Sequence, residues 1–105
     1  MAEERSWKEK LASLTQTRGR VRAELTMAKE AKERASAAFW QRIRDDALGG
    51  APFDVEERKV AQQEIARLIQ EWQNVVVVCN SLERLNEEVE GRVNTEVKQR
   101  CGQLG

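Results

Sequence analysis

Leu48-Gly49-Gly50-Ala51-Pro52-Phe53-Asp54 contains the one proline of this chain and its one Gly-Gly pair, close to the midpoint of 105 residues. Gly49 can adopt the left-handed conformation that ends a helix, and Pro52 cannot continue one, having no N–H and a fixed φ. Just beyond, Asp54 with Glu57 three residues on forms a capping-box-like start, and Glu56 and Glu57 suit the positive end of a helix dipole. Upstream, Ser6 and Glu9 give the same signal for a helix opening at Trp7. The chain therefore reads as one domain over 1–105, with a helix from about 6 to 48, a turn at 49–53 and a helix from about 54 to 100.

Periodicity supports both arms. Trp7, Leu11, Leu14, Arg18, Val21, Leu25, Ala28, Lys32, Ala35 and Phe39 follow the alternating three-and-four spacing of a heptad seam, with Arg18 and Lys32 as polar intruders. Ile65, Leu68, Trp72, Val75, Cys79, Leu82, Asn86, Val89 and Val93 do the same in the second arm. No competing strand alternation occurs, and Val75-Val76-Val77-Val78 reads as a buried helical segment. The weakest helical stretch is Thr15-Gln16-Thr17-Arg18-Gly19, where a break would give a three-helix monomer instead.

Folding back at Gly50 pairs positions whose numbers add to about 101, the antiparallel arrangement of a short helix–turn–helix. Small Ala28, Ala31, Ala35 and Ala38 then face large Ile65, Leu68, Ile69 and Trp72. Residues 1–48 carry 11 basic and 8 acidic side chains, a net +3; residues 53–105 carry 7 and 10, a net −3. The same register brings Arg18, Arg20 and Arg22 toward Glu83, Glu87, Glu88 and Glu90, and Asn86 on the seam favours one alignment.

Two helices do not bury every apolar residue. Four consecutive valines span about 300° of helix circumference, and one partner helix covers roughly a third of that. Trp40, Ile43, Ile69, Val76 and Leu85 lie off the main seam and, with Trp72, form a candidate protein interface. The expected fold is all-α, a coiled-coil-like antiparallel hairpin that dimerises into a four-helix bundle.

Composition restricts the chemistry. Lys plus Arg number 18 and Asp plus Glu number 18, so the net charge is zero, and there is no histidine to act as base, ligand or pH switch. The two cysteines stand 22 positions apart on one helix, about 33 Å by helical rise, too far to bridge. Cys79 reads as a small core residue, and Cys101 as a thiol in a frayed end. The doublets Asp45-Asp46, Glu56-Glu57 and Glu87-Glu88 point about 100° apart along a helix, so neither carboxylate pair chemistry nor a metal site is expected. No phosphate loop, dinucleotide fingerprint or zinc spacing is present.

These features imply no cofactor, no metal and no catalysis. No apolar run is long enough for a membrane span, so no membrane partner is expected, and two unpaired cysteines suit a reducing cytoplasm. The expected function is that of a homodimeric interaction module, a scaffold, adaptor or chaperone-like component with a protein partner. The alternative is a duplex RNA- or DNA-binding dimer using a basic stripe of Arg18, Arg20, Arg22, Lys29 and Lys32.

Overall fold

A computed structural model describes residues 6–104, which form two long helices, α1 (Trp7–Ala47) and α2 (Val55–Leu104), with no strand among the described residues. The start of α1 is capped as its sequence suggests: Ser6 Oγ accepts a bond from the Glu9 N–H at 3.2 Å. At its end, the Gly50 N–H donates to the Asp45 carbonyl at 2.7 Å and the Gly49 N–H to the Asp46 carbonyl at 3.1 Å. Together with a φ of 89° at Gly49, this pair of bonds is a Schellman closure. The two glycines serve different ends. Gly49 supplies the positive φ, whereas a Cβ on Gly50 would sit 2.8 Å from the Asp45 carbonyl oxygen. Asp54 Oδ1 then accepts from the Glu57 N–H at 2.9 Å and opens α2.

α1 runs unbroken through Gly19, so the three-helix alternative is overturned. Thr15 and Thr17 return their hydroxyls to the Leu11 and Ser13 carbonyls, at 2.9 and 3.2 Å, and so stay inside the helix. Leu14 and Val21, buried on either side of Gly19, hold the stretch to α2. A lone glycine costs about 1 kcal/mol in a helix, less than anchoring contacts of that kind supply. At the other end α2 continues to Leu104, a few residues past the expected stop, so exposed Cys101 is helical rather than frayed.

The chain divides into two contact units, each containing a segment of both helices. The turn unit is 24–76. Within it Phe53, only 4% exposed, packs edge-on against Phe39 with ring centres 5.5 Å apart. The Arg42 guanidinium covers the same Phe53 ring at 4.5 Å. Asp46 Oδ2 accepts the Phe53 N–H at 3.0 Å, which fixes the segment leading into α2. The antiparallel register is visible in Arg42 with Glu57, at 2.8 Å, and in Lys32 over the Trp72 ring, at 4.7 Å.

The other unit, 1–23 with 77–105, has its core at Leu14, Val21 and Val89 beside buried Asn86. Its register agrees: Arg18 meets Glu83 at 2.8 Å, the Cys79 thiol lies 4.0 Å from the Val21 carbonyl, and Arg92 sits over the Trp7 ring at 5.4 Å. Every seam residue expected on either arm is at least half-buried. The valine run is different. Val75 and Val76 are half-buried, but Val77 is 64% exposed and Val78 is exposed as well, so the run is not a buried segment. One facing helix covers only one side of it.

Candidate interaction site

The seam cations explain much of the basic stripe. Arg18 occupies a core-facing position and is held by a forked contact of Nε and Nη2 to the Glu83 carboxylate. Arg22, one turn on, donates to the same carboxylate at 3.0 Å. The Arg18 hydrogen bond is the largest influence holding the Glu83 carboxyl below its ordinary range. Lys32 uses the face of Trp72. Thus Arg18, Arg22 and Lys32 contact α2 within the chain, while Arg20 and Lys29 are exposed. The described ion pairs of the arginine cluster converge on Glu83 rather than spreading over Glu87, Glu88 and Glu90.

The acidic doublets also divide. Asp45 Oδ1 accepts from the Gln41 amide at 2.8 Å, whereas Asp46 secures Phe53. Glu57 pairs with Arg42. Among the described residues no three Cys, Asp or Glu side chains are grouped to hold a metal, and no helix is long and apolar enough to cross a membrane.

Of the interface candidates, Trp40, Ile69 and Leu85 are exposed, and Ile43, Trp72 and Val76 are half-buried. Trp40 is 61% exposed. Trp40 and Ile43 are three apart on α1, and Ile69 and Val76 seven apart on α2, spacings that keep each pair on one helix face. All four belong to the turn unit, as does Trp72; Leu85 belongs to the other.

A second feature of the turn unit was not expected from the sequence. A groove of about 620 Å³ opens between α1 and α2, floored by Ala35, Ala38, Ala61, Phe39 and Ile65 and closed at the turn by Phe53. Its rim carries Val60 with Glu56, Glu57 and Glu64, and Arg42 is the one cation in the lining. The small alanines leave the space open, and only one of them, Ala35, lies on the seam read from the sequence. Glu64 is also held by Arg67, whose hydrogen bond leads the causes that keep its carboxyl below the ordinary range. Trp40 is not among the residues that line the groove. No protein-family model, curated protein or solved structure matches this chain.

Proposed function

We propose that this protein is a non-catalytic helical interaction module, a scaffold, adaptor or chaperone-like component of a reducing cytoplasm, that works as a homodimer. The observation that carries the reading is the apolar flank of the turn unit, where Trp40 stands 61% exposed with Ile43, Ile69, Trp72 and Val76 on the same two helices. Burying one such side chain stabilises by about 1.5–3 kcal/mol, so a second copy covering this flank gains what a single hairpin leaves in water. Leu85 offers the same kind of surface in the other unit. Zero net charge, divided +3 and −3 between the arms, allows opposite arms of two copies to approach without repulsion.

Sedimentation equilibrium under reducing conditions at micromolar concentration is expected to give twice the chain mass. Trp40→Glu, at a position its own chain leaves 61% exposed, is expected to shift the population to monomer while helix content by circular dichroism is retained. Val76→Glu should act in the same direction, because burying an unpaired charge is costly. A monomer mass for the unaltered chain throughout the accessible range would sink the proposal. So would submicromolar, salt-sensitive binding to duplex RNA or DNA that is lost when Arg18, Arg20 and Arg22 become Gln, a result that would install the nucleic-acid reading instead.

A further inference from the structure

We infer that the groove of the turn unit is a docking site for a cationic amphipathic helix of another protein. Its lining supplies the shape. On α2 the residues Glu57, Val60, Ala61, Glu64 and Ile65 recur at i, i+3, i+4, i+7 and i+8, and on α1 Ala35, Ala38, Phe39 and Arg42 recur at i, i+3, i+4 and i+7. Two helices presenting one such face each, with alanines where bulk is missing, leave a trough that a third helix fills with large apolar side chains. Val60 on the rim is 64% exposed.

Charge selects the occupant. The lining holds three carboxylates and one guanidinium; Arg42 pairs with Glu57, and Glu64 pairs with Arg67 from outside the lining, so the rim keeps a net negative charge centred on Glu56. A second copy docking groove to groove would set one net-negative rim against another, a like-charge juxtaposition that disfavours self-pairing there. A helix flanked by Lys or Arg meets the rim with opposite charge and places its apolar face on Phe39, Phe53 and Ile65. This surface is separate from the Trp40 flank, so the inference stands whether or not the chain self-associates.

The probe is a labelled helical peptide of about 18 residues, with leucines at i, i+3, i+4 and i+7 and lysines between them, beside a twin carrying glutamates. Binding to the full chain is followed by fluorescence anisotropy and by the NMR shifts of alanine methyl groups. The lysine peptide is expected to bind and to move Ala35, Ala38 and Ala61 but not Ala23, and the glutamate twin to bind at least tenfold more weakly. Val60→Lys should weaken the lysine peptide at least tenfold. Val77→Lys, at an equally exposed valine of the other unit, should leave it unchanged. The Trp40→Glu variant should bind the peptide as the unaltered chain does. Equal binding of the two peptides, methyl shifts elsewhere, or equal losses in the two valine variants would overturn the proposal. Loss of self-association in Val60→Lys would overturn it too, by assigning the groove to a second copy.

Discussion

Asn86 is 8% exposed, and its Oδ1 is buried with no hydrogen-bond partner. A buried acceptor left unsatisfied costs about 1–3 kcal/mol, which a leucine of similar size would not incur. Asn86→Leu is therefore expected to raise stability by about 1–2 kcal/mol in urea denaturation. An unchanged or lower midpoint would show that the amide is satisfied in solution. The turn glycines make the opposite case. Gly49→Ala forces a positive φ on a residue with a Cβ, costing about 1–2 kcal/mol. Gly50→Ala has an ordinary φ but drives its Cβ against the Asp45 carbonyl. Both are expected to lower the thermal midpoint, and Gly19→Ala, with open space around its Cα, is expected to raise it. Gly49 was legible in the sequence as a helix terminator. The need for glycine at Gly50 was not, because it depends on where the Asp45 carbonyl lies after the helix has ended.

At the level of elements, both helix starts were written in their first residues, and the Ser6 and Asp54 caps occupy the expected positions. Asp54 makes its contribution testable by acid. The Glu57 N–H is the first cause holding the Asp54 carboxyl below its ordinary range, and the Arg18 hydrogen bond does the same for Glu83. A carboxyl depressed in the folded state contributes fully above its unfolded value, about 4, and loses that contribution as pH falls through the folded value. Stability measured from pH 6 downward should thus decline below about pH 4. Asp54→Asn keeps a competent cap and should flatten part of that decline, and Glu83→Gln another part. An identical pH profile in both variants would remove these two groups from the account. The bounds of α2 were less legible. The sequence reading stops it at about residue 100, whereas the helix runs to Leu104.

For the whole molecule, the heptad seams gave the antiparallel register, since a pattern of apolar positions and opposite charges survives any local uncertainty in where a helix ends. The groove did not follow from the same pattern. It depends on Phe53 entering from the turn and on alanines that fail to fill the space opposite Ile65, both properties of packing rather than of spacing. The turn also sets an order in time. Joining Arg42 to Glu57 closes a loop of 15 residues, whereas joining Arg18 to Glu83 closes one of 65. That is about two doublings of length, an entropic handicap of about 1.2 kcal/mol for the longer loop if it forms first. With the Schellman closure and Phe53 in place first, the longer loop need not be closed from an open chain. The glycine turn is thus the start of a zipper as well as a bend, so damage to it slows folding while loss of the Arg18–Glu83 contact chiefly speeds unfolding.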